Sequence, residues 1–233
     1  MTHAQVLAQT TAPPGGTVWD WGFALEILPE LLRALVVTVQ ATVVASVLAL
    51  SLGLALALLR RSKTVAIRLP VAGFIEFIRS TPLLVHLFFL FYALPRLGIT
   101  LGAFTAGVIG LGVHYATYTS EVYRAGIEGV AKGQWEAATA VNLSPRRTWT
   151  GVILPQAIPA VLPSLGNYIV AMFKETPLLF AITVIEVLGA ARIIGTQSFR
   201  YLEAFTLVGL LFFLVSYPSV LLLRRLEARL ATK

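Results

Sequence analysis

The sequence predicts an all-α protein that crosses a membrane five times, and three observations lead to this fold class. Of the 233 residues, 57% are hydrophobic and 12% are charged, whereas soluble domains are about 25% charged. Several runs without Asp, Glu, Lys or Arg are long enough to cross the roughly 30 Å core of a bilayer as helices. None of these runs alternates polar and apolar residues as a barrel strand does. The composition excludes a soluble enzyme and a disordered chain, and the absence of cysteine excludes a disulfide-stapled domain and a thiolate metal site.

Five apolar runs form the predicted membrane spans. They lie at residues 34–59, 80–95, 97–120, 148–173 and 204–223. The second run is short for a span, so we expect its helix to begin within residues 69–78. That start would place Glu76 and Arg79 inside the protein.

Glycines and prolines mark the third and fourth runs. Close helix packing is expected at the glycines of the third run, Gly102, Gly107, Gly110 and Gly112. Helix breaks are expected at the prolines of the fourth run, Pro155, Pro159 and Pro163. The apolar character of the fourth run continues past Lys174 toward Ile185.

The basic residues predict the orientation. Twelve of the 18 Lys and Arg residues follow the first, third and fifth spans, and the positive-inside rule assigns these loops to the cytoplasm. They are Arg60, Arg61, Lys63, Arg68, Arg124, Lys132, Arg146, Arg147, Arg224, Arg225, Arg229 and Lys233. The first 30 residues contain acidic residues but no Lys or Arg, as expected of an external segment. The predicted organisation is an external segment (1–30), a membrane domain (31–225) with a cytoplasmic loop (121–150), and a cytoplasmic tail (226–233).

The cytoplasmic loop contains signals for two short helices joined by a tight bend. Residues 133–141 include helix-favouring Glu and Ala residues. Asn142 follows them at a position where a helix end requires a residue that tolerates left-handed geometry. Ser144 and Pro145 then have the residue types of an N-cap and a first helical position. We expect the bend to present a docking surface rather than a simple connection.

The residues around the bend resemble the EAA loop of ABC-importer permeases, whose pattern is E-A-A-x3-G-x9-I-x-L-P. Here the pattern reads Glu136-Ala137-Ala138, three residues, Asn142, nine residues, then Val152-Ile153-Leu154-Pro155. Asn142 replaces the family's glycine and Val152 replaces its isoleucine. The stretches Arg124-Ala125-Gly126-Ile127 and Phe77-Ile78-Arg79-Ser80-Thr81-Pro82-Leu83-Leu84 are similar to the polar amino acid permease subfamily. The resemblance covers roughly residues 34–225 and implies the fold of a type I ABC importer permease.

The resemblance implies that the loop couples the chain to a separate ATPase, because the EAA helix of such permeases inserts into a cleft on that subunit. The implied coupling residues are Gly133, Glu136, Ala137, Ala138, Asn142, Leu143 and Arg146. This chain contains no G-x-x-x-x-G-K-[ST] phosphate loop, so we expect that it is not an enzyme. We expect ATP and Mg²⁺ to bind the partner ATPase, and no cofactor or metal to bind this chain. Alternatively, Glu136 is a solvated helix charge, and Arg146 and Arg147 contact acidic lipids.

A short repeat identifies candidate residues for a substrate path. Arg79-Ser80-Thr81-Pro82-Leu83-Leu84 is echoed by Lys174-Glu175-Thr176-Pro177-Leu178-Leu179. Charges at bilayer depth are costly, and proline breaks in membrane helices are tolerated where they line a cavity. We therefore predict that the path is bordered by Arg79, Thr81, Pro82, Lys174, Glu175 and Thr176. Alternatively, the long side chains of Arg79 and Lys174 extend to the membrane–water interface and only fix how deep their helices lie in the membrane.

Two further sets of polar residues remain open at this stage. His86 and His114 lie in apolar spans without metal-ligand spacing, so we interpret them as hydrogen-bonded packing residues. Glu186, Arg192 and Arg200, between the fourth and fifth spans, either contact a binding protein or form a solvated loop.

These expectations combine into one function, the membrane-spanning permease of an ATP-driven importer for a polar amino acid or an amino-acid-like solute such as ectoine. The resemblance implies four kinds of partner: ATPase subunits, a second copy or a related permease, a periplasmic or lipid-anchored solute-binding protein, and membrane lipid. Nucleic acid is not among them, and the location implied is the bacterial inner membrane. The alternatives are a secondary transporter or channel, which would have buried mid-span carboxylates and no docking bend, and an intramembrane enzyme, for which no catalytic motif is present.

Overall fold

The computed structural model describes residues 19–231, and nearly all of them are helical, which confirms the predicted all-α class. The α-helices, numbered here in chain order, are α1 (Trp21–Arg60), α2 (Val65–Arg79), α3 (Leu83–Phe88), α4 (Ala103–Glu128), α5 (Lys132–Ala140), α6 (Pro145–Thr148), α7 (Leu154–Glu175), α8 (Val187–Ser198) and α9 (Tyr201–Ala231). Wider π-type turns occupy Phe89–Ala93 and Trp149–Ile153. Tighter 3₁₀ turns occupy Leu94–Leu97 and Thr176–Ile182.

Helix α1 begins well before the first predicted span. Its first turn is capped by the Asp20 carboxylate, which accepts a hydrogen bond from the Phe23 N–H at 3.2 Å. The helix then continues for 40 residues through Pro29. It has no break at residue 30, where the sequence placed the end of the external segment. Residues 1–18 of that segment lie outside the described part of the chain.

Three helical stretches are long and apolar enough to cross a membrane: Trp21–Arg60, Pro145–Ile182 and Tyr201–Leu230. A bent pair, Val65–Arg79 with Leu83–Leu97, brings the number to four if it forms one span. Helix α4, the third predicted span, is not among them. It is largely buried against the other helices, so its polar residues contact protein instead of lipid. The five-span count and the orientation stay predictions.

The second predicted span is not the continuous helix that the sequence suggested. Helix α2 ends at Arg79, and the chain turns by 103° before α3 begins. Pro82 causes this break, because a proline disfavours helical backbone in the residue before it. The Thr81 hydroxyl then donates to the Phe77 carbonyl at 2.9 Å. Glu76 and Arg79 are exposed at the surface of the chain, so the expectation that they lie inside it is wrong.

The predicted breaks in the fourth span are also wrong. Helix α7 continues through Pro159 and Pro163, and Pro155 lies in its first turn. These prolines are four residues apart, so they share one helix face, and this face borders an open cavity beside Glu227 and Leu230 of α9. Because the missing N–H groups fall on one side, the helix keeps its other hydrogen bonds.

Glycines allow α4 to approach its neighbours closely, as predicted for three of the four. A Cβ on Gly112 would lie 2.6 Å from Leu48 Cδ2, one on Gly110 would lie 2.6 Å from Leu87 Cδ2, and one on Gly107 would lie 2.8 Å from a Leu179 methyl. Gly102 has open space around it. It serves instead as the residue before the first turn of α4.

Glu186 is fully buried, so both interpretations offered for it from the sequence are wrong. Its carboxylate accepts hydrogen bonds from the backbone N–H groups of Leu188 and Gly189 at the start of α8. The Val187 N–H donates to the Thr38 hydroxyl of α1 at 3.1 Å. Burial raises the pKa of the Glu186 carboxyl, and the two N–H donors act in the opposite direction. The carboxylate therefore caps the start of α8, and the Val187–Thr38 hydrogen bond joins α8 to α1.

Candidate functional site

The elbow, residues 132–148, contains the bend that the sequence predicts. Asn142 adopts a left-handed conformation with φ of 53°. Its N–H donates to the Thr139 carbonyl, and the Leu143 N–H donates to the Ala138 carbonyl, both at 3.0 Å. These two bonds form a Schellman motif, which usually has glycine at the left-handed position. The replacement of glycine by Asn142 therefore leaves the bend intact.

The second helix of the elbow starts with the predicted cap. The Ser144 hydroxyl accepts a hydrogen bond from the Arg147 N–H at 3.5 Å, and Pro145 occupies the first helical position. The local rules for helix ends thus account for the whole change of direction between α5 and α6.

One face of α5 is exposed and carries small or apolar side chains. Gly133, Ala137 and Val141 follow one another at intervals of four residues, and all three are exposed. Val141 is 68% exposed, which is a large fraction for an apolar side chain. Glu136 is exposed beside them. This arrangement can accept a close-fitting partner with one charged contact at its edge.

The remaining predicted coupling residues divide between surface and interior. Asn142 and Arg146 are exposed, and Leu143 is half-buried. Ala138, by contrast, is only 3% exposed. Its side chain packs against other residues of this chain, so it helps to hold α5 in place.

Aromatic packing fixes the elbow to the membrane helices. Trp135 of α5 and Trp149 pack edge to face, with ring centres 5.4 Å apart. They cover a small core formed by the ends of α4 and α7, whose buried members are Ile127, Val130, Ile153 and Ala157. The elbow is therefore joined to α7 through contiguous packing.

A second group of polar residues, the tyrosine cluster, lies between α4 and α7. It consists of Tyr115, Tyr118 and Tyr168, whose ring centres are 5.8 to 6.1 Å apart. The guanidinium of Arg79 lies 5.2 Å from the centre of the Tyr118 ring, a cation–π contact.

A carboxylate also borders this cluster, beside Tyr115. The Tyr115 side chain lies beside Glu175 at the end of α7. Glu175 Oε2 is buried and has no hydrogen-bond partner among residues 19–231. Unpartnered buried polar atoms are rare in proteins and costly. The cluster therefore has a cation against Tyr118 and an unsatisfied carboxylate oxygen beside Tyr115.

Two histidines extend the cluster toward the break before α3. The His86 and His114 ring centres are 5.4 Å apart, and His114 lies 5.3 Å from Tyr118. Nε2 of His86 is hydrogen-bonded to the Thr81 hydroxyl, while Nδ1 of each histidine is buried and unpartnered in the described chain. Their interpretation as hydrogen-bonded packing residues thus holds for one ring nitrogen of His86. An apolar cavity of about 320 Å³ opens beside Thr81 and His86.

Not all predicted path residues meet there. The structure groups Arg79, Thr81 and Glu175 around the tyrosines and histidines. Thr176 is fully buried, and its hydroxyl donates to the Phe173 carbonyl at 2.8 Å, so its polar group is already satisfied. Lys174 and Pro82 are exposed.

Comparison with known proteins identifies the family. The family described as "Binding-protein-dependent transport system inner membrane component" matches residues 49–232, a range that includes both the elbow and the tyrosine cluster. The chain belongs to this family.

Its relatives are named as amino-acid ABC transporter permeases. The protein named "Probable amino-acid ABC transporter permease protein y4tG", from Sinorhizobium fredii (strain NBRC 101917 / NGR234), is 46% identical over 220 residues, which cover 92% of this chain and 95% of that protein. "Probable amino-acid ABC transporter permease protein YckA", from Bacillus subtilis (strain 168), is 35% identical over 217 residues, with coverage of 91% and 96%. The chain is thus a permease subunit of an ABC importer, and the alternative of a secondary transporter or channel is set aside.

Solved structures agree with this assignment. A crystal structure of an amino acid ABC transporter with histidines matches with a TM-score of 0.85 and 33% identity, covering 91% of this permease and 99% of that chain. A chain of the inward-facing methionine transporter MetNI matches with a TM-score of 0.67 at 18% identity, covering 86% and 98%; this second match concerns the fold alone. The predicted ABC importer permease fold is confirmed.

The sequence analysis of the permease missed the tyrosines, the two tryptophans and Val141. Tyr115 and Tyr118 are three residues apart on α4, so the spacing alone puts them on one face. Nothing in the sequence indicates that Tyr168 of α7 meets them. Val141 could have been recognised, because it is a β-branched apolar residue next to the predicted bend at Asn142.

Proposed function

We propose that the permease carries a polar amino acid or an amino-acid-like solute such as ectoine across the bacterial inner membrane, driven by a separate ATPase. The observation that carries the solute class is the tyrosine cluster, with the Arg79 guanidinium against Tyr118 and the Glu175 carboxylate beside Tyr115. A zwitterion has a carboxylate that complements Arg79 and an ammonium group that complements Glu175. The free Glu175 Oε2 supports this assignment, because an ammonium donor would satisfy it.

The proposed path is bordered by the residues of the short repeat. They are Arg79, Thr81, Pro82, Lys174, Glu175 and Thr176. Of these, Arg79, Thr81 and Glu175 are assigned direct contact with the solute, because they surround the tyrosine cluster. Pro82 and Thr176 are assigned the helix breaks that open the path, since Pro82 directly precedes α3 and Thr176 directly follows α7.

The exposed face of the elbow is the proposed docking site for the ATPase that drives transport. The ATPase docks on Gly133, Glu136, Ala137 and Val141, while Asn142 and Leu143 hold the bend and Arg146 extends the contact. Ala138 keeps α5 seated on the permease because it is buried. ATP and Mg²⁺ bind the partner, and this chain supplies no cofactor site.

The proposed assembly contains two permeases, two ATPases and an external solute-binding protein. The second permease is another copy or a related chain. In this arrangement the permease has five spans, with its N-terminus outside and its elbow in the cytoplasm. The orientation is supported by the twelve Lys and Arg residues that the positive-inside rule assigns to the cytoplasm. The second permease is supported by the exposure of the Arg79 side chain, because a second permease would cover it. Membrane lipid surrounds the assembly, and nucleic acid has no part in it.

Uptake into proteoliposomes tests the solute assignment. The whole complex, with its ATPase and binding protein, is reconstituted and supplied with each of the 20 radiolabelled protein amino acids and with ectoine. Wild-type complex is expected to accumulate at least one of these solutes when ATP is enclosed with the ATPase. Arg79→Gln and Glu175→Gln are each expected to reduce that uptake at least tenfold, as the loss of one charged hydrogen bond of about 1.5–3 kcal/mol implies.

Arg96→Gln is the matched control, because it removes an exposed arginine that lies outside the cluster. It is expected to transport normally. ATP hydrolysis and subunit composition are measured in every variant, so that loss of assembly is recognised. Normal uptake by both cluster variants in an intact complex would refute the assignment of Arg79 and Glu175.

A further inference from the structure

A basic cavity lies at the cytoplasmic end of α1, apart from both the elbow face and the tyrosine cluster. It has a volume of about 600 Å³ and opens between α1, the start of α2 and the end of α4. Four arginines line it, Arg60, Arg61, Arg68 and Arg124, together with Glu128 and Leu69. So many guanidinium groups around one cavity indicate an anionic ligand.

Two of these arginines are held in place by carboxylates. Glu121 pairs with both Arg60 and Arg124, and Glu128 pairs with Arg124. Glu121 receives two N–H donors of Arg124 at 2.7 and 2.9 Å. A guanidinium has five N–H donors, so each of these arginines keeps others for a ligand.

The other two arginines are not neutralised. The Arg61 guanidinium lies 5.7 Å from the centre of the Trp149 ring, and Arg68 is exposed on the first turn of α2. Neither forms an ion pair with any residue in the described range 19–231. The cavity thus has two positive charges in excess over its carboxylates.

The cavity also has an apolar wall. Leu69 is 60% exposed and lines it, and the same helix exposes Val65 and Ile67. The cavity begins at Arg60, where the uncharged apolar run 34–59 of α1 ends. Arginines that follow an apolar span are expected at the depth of the lipid headgroups. A phosphorylated molecule without hydrocarbon chains would contact the arginines but leave these side chains in water.

We propose that this cavity binds the phosphate of an anionic phospholipid. Arg61 and Arg68 donate to the phosphate oxygens, and Arg60, oriented by Glu121, completes the site. The acyl chains lie along the exposed apolar side chains of α2. Basic pockets between membrane helices on the cytoplasmic side recognise lipid headgroups by this chemistry. The apolar wall favours lipid over a carboxylate of a docked protein.

Spin-labelled lipids test the proposal on the full-length permease, both alone and assembled with its ATPase. The permease is placed in phosphatidylcholine nanodiscs containing spin-labelled phosphatidylglycerol or spin-labelled phosphatidylcholine, and the immobilised fraction is titrated. Wild type is expected to prefer the anionic lipid in both forms. Arg61→Gln and Arg68→Gln are each expected to weaken that binding about fivefold, and the double variant about 25-fold.

Arg224→Gln/Arg225→Gln is the matched control, because it removes two exposed arginines on the same side of the membrane but outside the cavity. It is expected to keep the preference. Glycerol 3-phosphate in large excess, which offers the headgroup phosphate without chains, is expected not to displace the labelled lipid.

Four outcomes would overturn the proposal. They are no preference for phosphatidylglycerol in wild type, an equal loss in the control, displacement by glycerol 3-phosphate, and a preference that disappears when the ATPase is bound. The last two would identify a free-phosphate site and a protein contact, respectively. If the double variant does not fold, the wild-type titration decides alone. The variant Arg61→Lys/Arg68→Lys keeps both positive charges and is expected to retain most of the preference for the anionic lipid.

Discussion

Trp135 and Trp149 pack edge to face with their ring centres 5.4 Å apart, and this contact joins the elbow to the N-terminal end of α7. Glu175 lies at the opposite end of α7. A helix of this length, about 33 Å at 1.5 Å per residue, moves largely as one body. The contact therefore provides a mechanical route from the proposed ATPase site to the proposed solute site.

Trp149→Ala is expected to uncouple ATP hydrolysis from transport. The variant loses the edge-to-face pair, so the elbow is free to move without moving α7. Uptake into proteoliposomes is expected to fall several-fold while the assembled complex keeps its ATP hydrolysis. Trp149→Phe preserves an aromatic ring at this position and is expected to retain most of the coupling. Parallel loss of hydrolysis and uptake in Trp149→Ala would instead indicate a docking defect.

Asn142→Gly is expected to preserve the bend, and Asn142→Ala to weaken it. At φ of 53°, a residue with a Cβ is strained by roughly 1–2 kcal/mol unless its side chain hydrogen-bonds locally, and glycine has no such cost. The apparent Tm of the purified permease, followed by size-exclusion chromatography after heating, is expected to be unchanged for Asn142→Gly and lower for Asn142→Ala. Equal values for the two variants would contradict this account of the bend.

The elbow is the part of the site that the sequence predicts best, because its signals are local. The types of Asn142, Ser144 and Pro145 determine helix ends within a few residues of themselves. The tyrosine cluster depends on packing between distant segments, and apolar runs do not encode such pairings. Pro82 is a local signal for the break before α3, but the 103° change of direction is visible only in the structure. Helix α4 shows the same limit, since its polar residues reflect burial inside the protein and hydropathy does not select it as a span.

Glu136→Lys is expected to prevent co-purification of the ATPase. Glu136 is exposed at the edge of the small and apolar face of α5, so reversing its charge replaces an attractive contact by a repulsive one. The amount of ATPase retained on the affinity-tagged permease is the measurement. Glu227→Lys is the control, because it makes the same charge change at an exposed position of α9. Full retention by Glu136→Lys would exclude this face as the docking surface.

Gly112→Ala is expected to destabilise the permease, whereas Gly102→Ala is expected to have little effect. The new methyl at residue 112 would lie 2.6 Å from Leu48 Cδ2, closer than any real packing contact, whereas residue 102 has open space. Overpacking of this kind costs about 1–3 kcal/mol. The apparent Tm in detergent is expected to fall for the first variant only. An unchanged or raised Tm for Gly112→Ala would contradict this account, because alanine favours a helix more than glycine does and only the clash opposes it.

The absence of cysteine from the chain makes its topology directly testable. Lys63, in the turn after α1, and Gln197, in the last turn of α8, are both exposed, so cysteines placed there are accessible to a maleimide. With an external N-terminus and five spans, Gln197→Cys is expected to react with a membrane-impermeant maleimide on intact cells. Lys63→Cys is expected to react only after the membrane is permeabilised. Labelling of Lys63→Cys on intact cells would reverse the orientation, because the twelve Lys and Arg residues would then face outward against the positive-inside rule.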